Sequence, residues 1–226
     1  MRQAFRAETP ALLFDLDGTL VDSDPDHLAA FQAVLAPHGI ALDRALYATH
    51  IMGASNAMIG ARFLAHLPAG EREAVFEAKE AAYRDGLGAL AATPGAAELL
   101  AYAGARRLPC AVVTNAPRAN AEKVLAAIGL AELLPILVIG GELARAKPDP
   151  LPYLTGLELT GAAAAHSVAF EDSLSGVQAA VAAGLAVVGI TTGLPAERLI
   201  EAGAVFAAQD FRDPRIYAVI AARTAS

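Results

Sequence analysis

Short runs of apolar residues that end in polar residues recur along this chain and predict the strands of a sheet. The first run begins at Ala11 and stops at the acidic residue Asp15. Four further runs lie later in the chain, at residues 110–114, 136–139, 167–171 and 186–190. Helix-like sequence separates them, and such alternation is typical of a parallel sheet covered by helices on both faces. The pattern therefore predicts an α/β core with a Rossmann-like, doubly wound, mostly parallel sheet.

Between the first two of these runs the pattern changes to that of helices. From residue 27 to about residue 91, apolar residues recur three and four positions apart, with no strand-like alternation. Glycine and proline residues divide this segment into about four helices. We therefore predict a core domain made of residues 1–21 and 93–226. An all-helical cap domain, residues 22–92, is inserted after the first strand.

Composition narrows the classes of protein to consider. The chain has a formal net charge of −7 and is 55% hydrophobic. This argues against a broad nucleic-acid or anionic membrane surface, because such a surface needs clustered lysine and arginine. The longest apolar stretch, residues 179–190, is shorter than the roughly 18 residues that a membrane span needs. With a single cysteine, Cys110, and no evident targeting signal, we expect a cytoplasmic protein that binds neither membranes nor nucleic acid. The oligomeric state stays open.

Polar side chains follow four of the predicted strands at the point where each strand ends. They are Asp15 and Asp17, Thr114 and Asn115, Lys147, and Glu171 and Asp172. The carboxyl ends of parallel strands lie along one edge of a sheet, where open α/β sheets bind their ligands. Each residue alone would be ordinary at the end of a strand or the start of a helix. Their joint placement at one edge predicts a functional site.

This combination of side chains suits the transfer of a phosphoryl group. One carboxylate can act as a nucleophile and divide a difficult displacement into two steps. A second carboxyl group can protonate the leaving oxygen and later deprotonate water. The amine adds a fixed positive charge, while a hydroxyl and backbone N–H groups bind the phosphate oxygens. Closely spaced carboxylates prefer Mg²⁺ to zinc, which favours histidine and cysteine. We therefore expect Mg²⁺ as the cofactor and a phosphorylated small molecule as the substrate.

Four short segments make the chain resemble the haloacid dehalogenase-like (HAD) superfamily over nearly its whole length. In order, they are Asp15-Leu16-Asp17-Gly18-Thr19, Val112-Val113-Thr114-Asn115, Lys147 within Ala146-Lys147-Pro148-Asp149-Pro150, and Phe170-Glu171-Asp172-Ser173. The helical insertion after the first segment is similar to the C1 caps of phosphoglycolate phosphatases and β-phosphoglucomutases. The resemblance implies a hydrolase that acts on phosphoric monoesters.

The resemblance also assigns catalytic roles by position. It implies that Asp15 is the nucleophile and that Asp17 is the general acid and base. Thr114 and Asn115 would hold the phosphoryl group, and Lys147 would position it. The activity implied is hydrolysis through an aspartyl-phosphate intermediate.

A metal site and further substrate contacts follow from the same resemblance. It implies that Mg²⁺ binds the Asp15 carboxylate, the backbone carbonyl of Asp17, and Asp172. Glu171 would be a ligand either directly or through water. The remaining residues assigned to substrate binding are Arg118 in the core and His27, Gly53, Ser55 and Asn56 in the cap.

Relatives within the superfamily differ at positions that can be compared. Dehalogenases usually lack the second aspartate, which this chain has as Asp17. Phosphonatases use a cap lysine, and β-phosphoglucomutases typically carry an arginine, where this chain has Asn56. A phosphatase acting on a small phosphomonoester, such as a sugar phosphate, therefore fits better than a sugar phosphomutase, which is the alternative enzyme. A catalytically silent binding or regulatory module is the alternative from another class. The physiological substrate stays open.

Overall fold

The computed structural model describes residues 9–51, 54 and 56–224, which form two compact units. The described residues up to Asp22, together with those from Leu90 onward, form the first unit. Those within Ser23–Ala89 form the second. The predicted fold class, a parallel α/β core with a helical insertion after the first strand, is confirmed.

The first unit is organised around a sheet of six parallel strands. They are β1 (Leu12–Phe14), β2 (Cys110–Thr114), β3 (Ile136–Ile139), β4 (Val168–Glu171), β5 (Ala186–Ile190) and β6 (Phe206–Ala208). Their order across the sheet is β3-β2-β1-β4-β5-β6. The strand that precedes Asp15 therefore lies in the middle of the sheet, between β2 and β4. The edge strand β6 is an addition to the strands predicted from the sequence.

The described residues contain ten α-helices, four in the second unit and six in the first. The second unit contains α1 (Asp24–Leu35), α2 (Arg44–His50), α3 (Asn56–Phe63) and α4 (Ala69–Gly86). The first contains α5 (Ala96–Ala105), α6 (Arg118–Ala127), α7 (Leu151–Thr160), α8 (Leu174–Ala182), α9 (Ala196–Glu201) and α10 (Pro214–Thr224). None of these helices has both the length and the apolar character needed to cross a membrane.

Successive side chains of a strand point to opposite sides of the sheet, and here both sides are buried. On one face, Leu13 and Val113 belong to an apolar cluster that includes residues of α7 and α8. On the other face, the rings of Phe14 and Phe170 stack with their centroids 4.9 Å apart. Phe211 meets both of these rings edge-on. This packing fixes the central strands and so fixes the residues that follow them.

The second unit has an apolar core of its own. Phe31 and Leu35 of α1 belong to the same buried cluster as Ile59 of α3 and Phe76 of α4. The side chain of Asp43 accepts a hydrogen bond from the backbone N–H of Leu46 at 2.8 Å, which caps the first turn of α2. The apolar residues that recur at helical spacing in the insertion form this core, and packing of this kind supplies most of the stability of such helices.

Candidate active site

The structure brings three of the predicted residues into direct contact at the carboxyl end of the sheet. Asp15 follows the central strand β1, and its backbone N–H donates to the Phe170 carbonyl of β4 at 3.0 Å. Lys147 lies in the segment between β3 and α7. Its Nζ donates to Asp15 Oδ1 and to Glu171 Oε1, at 2.6 Å in each case. All three side chains are buried, so two carboxylates share one ammonium group away from water.

Burial and charge together set the protonation of this cluster. Burial raises the pKa of the Asp15 carboxyl from 3.8 to about 7, with Lys147 opposing the rise and the charge of Glu171 adding to it. Burial disfavours the charged form of Lys147, but the carboxylates of Asp15 and Glu171 outweigh it and raise the pKa of this lysine above 10.5. At neutral pH the lysine is charged, whereas burial disfavours the charged form of Asp15. A nearby cation would favour the ionised form of Asp15.

Two polar residues lie at the end of β2, and one of them, Asn115, contacts Lys147. The Oδ1 of Asn115 accepts from the Lys147 backbone N–H at 3.2 Å, and its Nδ2 donates to the Lys147 carbonyl at 3.3 Å. The buried Thr114 hydroxyl accepts from the Ala116 N–H at 3.0 Å, which leaves its own hydrogen to donate to a ligand. The Asn115 side chain therefore holds the backbone that carries Lys147, a contact that the sequence pattern did not suggest.

The carboxylates of Asp15, Glu171 and Asp172 form a group that is suited to a cation. One ligand oxygen from each residue lies within 4.8 Å of the others. Oxygen donors of this kind are preferred by hard divalent cations. Thr19 Oγ1 donates a hydrogen bond to Asp172 Oδ1 at 3.4 Å. The negative charge of the half-buried Asp17 adds to the rise in the Asp15 pKa. These acids outnumber the one lysine, so a bound cation would reduce their mutual repulsion.

Arg118, a predicted substrate contact, is the first residue of α6 and forms ion pairs with two acidic side chains. Its Nε and Nη2 donate to the two carboxylate oxygens of Glu142 at 2.8 and 2.7 Å, and Nη1 lies 3.6 Å from Glu122. The hydrogen bond with Glu142 raises the pKa of Arg118 and lowers the pKa of Glu142. Exposed ion pairs contribute little to stability, so an anionic ligand can compete for this guanidinium.

The predicted cap residues belong to the second unit. His27 on α1 has its Nδ1 3.0 Å from the Nζ of Lys79 on α4, and its ring stacks on Tyr83 with a centroid distance of 4.0 Å. Lys79 is a charged residue that is buried. Helical periodicity alone does not predict this burial. Asn56 is the first residue of α3. Two predicted substrate contacts lie outside the described residues: Gly53 and Ser55.

Three glycines of the first unit leave room for side chains of the site. A Cβ atom on any of them would clash with a carboxylate or amide group. The pairs are Gly18 with Asp172, Gly140 with Asn115, and Gly176 with Glu171. Gly18 also has a φ of +82°, a conformation that favours glycine. These glycines fix where the site's polar groups lie, although they carry no functional group themselves.

Replacing Gly176 with alanine is expected to destabilise the protein by about 1–3 kcal/mol, because the added methyl overlaps the buried Glu171 carboxylate. The matched control is Gly104→Ala on α5, where the added methyl meets open space. That change is expected to stabilise the fold by about 0.5–1 kcal/mol. Urea unfolding of the two variants and the wild type measures both effects. Equal stability of the two alanine variants would contradict this account of the site.

Comparison with known proteins identifies relatives along most of the chain. Residues 9–184 match the family model described as haloacid dehalogenase-like hydrolase. The chain is 34% identical over 193 residues to the validoxylamine A 7'-phosphate phosphatase of Streptomyces hygroscopicus subsp. limoneus, covering 84% of this chain and 89% of that protein. It is 30% identical over 202 residues to the phosphorylated carbohydrates phosphatase of Thermotoga maritima, covering 86% and 92% respectively.

A solved structure shares the fold. The crystal structure of an HAD hydrolase, family IA, variant 3, from Entamoeba histolytica matches with a TM-score of 0.86 at 22% identity, over 96% of this chain and all of that one. This chain belongs to the haloacid dehalogenase-like hydrolase family, as its sequence motifs imply, and its phosphatase-named relatives mark it as an enzyme of phosphorylated substrates.

Proposed function

We propose that this protein is a magnesium-dependent phosphatase that hydrolyses a small phosphomonoester, such as a sugar phosphate. The observation that carries the proposal is the buried Asp15 carboxylate held by Lys147 at the end of the central strand. The names of the two phosphatase relatives support the reaction, and the name of the Thermotoga maritima protein supports a carbohydrate substrate. The single cysteine supports action in the cytoplasm.

The chemistry would take place in two steps on Asp15. In the first, an oxygen of Asp15 attacks the phosphorus, the ester bond to the leaving oxygen breaks, and Asp17 gives that oxygen a proton. In the second, Asp17 takes a proton from water, whose oxygen attacks the aspartyl-phosphate and releases inorganic phosphate and the free carboxylate. Lys147 holds the Asp15 oxygen in place in both steps. The Thr114 hydroxyl would donate to a phosphate oxygen.

The donor set fits Mg²⁺, because it consists of carboxylate oxygens. Asp15 and Asp172 would be direct ligands, with the backbone carbonyl of Asp17 as a third. Both oxygens of Glu171 already accept hydrogen bonds, from Lys147 and from Ser173, so Glu171 fits as a neighbouring negative charge that attracts the ion rather than as a direct ligand. When bound, the ion would neutralise charge between the acids and the phosphate.

The test of the function is phosphate release from a panel of phosphorylated metabolites that includes sugar phosphates and phosphoglycolate. We expect release in Mg²⁺ and none in EDTA. Conversion of a hexose phosphate to its isomer, when primed with the bisphosphate, would instead identify a phosphomutase. Neither activity on any member of the panel would contradict the proposal and favour a binding role.

The metal site has its own test, which does not depend on turnover. Mg²⁺ at about 100 times its dissociation constant is expected to stabilise the wild type against unfolding by about 2.7 kcal/mol. The variant Asp172→Asn should lose most of this gain, because it removes a ligand carboxylate. The control Asp85→Asn, at an exposed position of α4, should keep it. Equal stabilisation of both variants, measured by calorimetry, would argue against a metal site at Asp172.

A further inference from the structure

Tyr153 is a buried polar residue that the proposed reaction does not use. It is the third residue of α7, and its side chain is fully buried in the apolar cluster on one face of the sheet. Its hydroxyl donates to Glu171 Oε1 at 2.8 Å. The Nζ of Lys147 lies 5.1 Å from the centre of its ring. A phenylalanine would fill the same space, so packing alone does not explain the hydroxyl.

The hydroxyl completes the hydrogen bonds of a fully buried carboxylate. Oε1 of Glu171 accepts from Lys147 Nζ at 2.6 Å and from the Tyr153 hydroxyl at 2.8 Å. Oε2 accepts from the Ser173 hydroxyl at 3.0 Å and from the Ser173 N–H at 3.3 Å. A carboxylate offers about four acceptor sites, so all of them are engaged. Gly176 lies close against the same group. The Glu171 carboxylate therefore has one orientation.

That orientation matters because Glu171 is one of the two carboxylates that hold Lys147. The lysine ammonium lies between Oε1 of Glu171 and Oδ1 of Asp15. If the Glu171 carboxylate turned, the ammonium would move with it and away from Asp15. A displacement of about 1 Å in a reacting group is enough to slow a reaction about 100-fold.

We propose that Tyr153 is a positioning residue, whose hydroxyl orients Glu171 so that Lys147 is held on Asp15. It acts through Glu171 and needs no contact with the substrate. This inference rests on the proposed function, because it takes Asp15 to be the nucleophile.

The first test is Tyr153→Phe, which removes one hydroxyl and keeps the buried ring. We expect kcat to fall by about 10–100-fold, as for other residues that support catalytic groups indirectly. The KM for the preferred substrate should change little. The control Tyr217→Phe, on α10 in the same unit, should keep the wild-type kcat. A wild-type kcat in Tyr153→Phe, or a loss that appears only in KM, would overturn the proposal.

A double-mutant cycle separates positioning from a general structural effect. In a Glu171→Gln background, adding Tyr153→Phe should lower kcat by less than about threefold, because the residue through which it acts is already altered. The same loss in both backgrounds would overturn the proposal, since it would show that Tyr153 acts independently of Glu171.

A readout without turnover keeps this inference distinct from the proposed function. The chain has three lysines, Lys79, Lys123 and Lys147, so their ammonium groups can be followed by ¹⁵N NMR in EDTA. We expect Tyr153→Phe to shift the signal of Lys147 and leave the other two in place. Loss of the Lys147 signal in Lys147→Arg assigns it. An unchanged Lys147 signal would overturn the positioning role, whereas a wild type that turns over no phosphoester would contradict only the proposed function.

Discussion

Asp15→Asn is expected to abolish phosphate release, with kcat lowered by at least about 10³-fold, while the protein stays folded. Asparagine has the shape of aspartate and its oxygen still accepts a hydrogen bond from Lys147, so the packing at the end of β1 is kept. An amide oxygen, however, is a far weaker nucleophile than a carboxylate, and the aspartyl-phosphate cannot form.

The measurement is a phosphate-release assay on the best substrate of the panel, with circular dichroism to verify the fold. The exposed Asp85→Asn serves as the control and should keep the wild-type rate. Mass spectrometry of acid-quenched wild type should find the phosphoryl group on the peptide that contains Asp15. A variant that retains a tenth or more of the wild-type rate would rule out Asp15 as the nucleophile.

Lys147→Met is expected to remove activity and also to destabilise the metal-free protein, by about 3–5 kcal/mol at pH 8. Methionine keeps the apolar stem but deletes the ammonium group. The buried carboxylates of Asp15 and Glu171 are then left without their common partner. Removing one member of a buried ion pair has costs of about this size, because it leaves an uncompensated charge away from water.

The pH dependence of this loss has a definite sign. The pKa of Asp15 is already raised to about 7 in the folded wild type, and losing the lysine raises it further. A carboxyl group whose folded pKa is raised favours the folded state at low pH, and this stability is lost as pH rises through the folded pKa. The deficit of Lys147→Met relative to wild type should therefore increase as pH rises from about 7 to 8, where Asp15 ionises in the wild type but still holds its proton in the variant, by at most about 1.4 kcal/mol per pH unit.

Urea unfolding in EDTA at several pH values measures this deficit. The exposed Lys123→Met, on α6, is the matched control and should show no such dependence on pH. Adding Glu171→Gln to Lys147→Met should restore part of the stability at pH 8 without restoring activity, because one buried charge is removed. A deficit that stays constant from pH 5 to pH 8 would contradict the shared-ammonium account.

The sequence predicted the buried strands well because burial on both faces leaves a simple signal. Strands β2, β3 and β5 begin and end where their apolar runs do. Strand β6 has three residues and lies at the edge of the sheet, and the apolar run that contains it, residues 204–208, is a weak strand signal because three of its five residues are alanine. The order of the strands also had to come from the structure, because it depends on contacts between distant segments.

For the site, the sequence indicates which side chains lie at the end of the sheet but not what each of them touches. Strand ends identify Asp15 and Glu171 as neighbours because parallel strands share an edge. Tyr153 lies on α7, six positions after Lys147 in the sequence, and its position resembles that of an apolar core residue. The sequence alone therefore does not predict the hydrogen bond between its hydroxyl and Glu171. The sequence motif that contains Asn115 likewise does not predict the two hydrogen bonds between its side chain and the Lys147 backbone.

The glycines behind the site have a consequence for protein design. A designer who copied only the acids, the lysine and the threonine onto another parallel sheet would meet side chains where this protein has none. The three positions to transplant along with them are Gly18, Gly140 and Gly176. Each glycine leaves space for one polar side chain of the site, so a design that transfers the site must also keep glycine at these three positions.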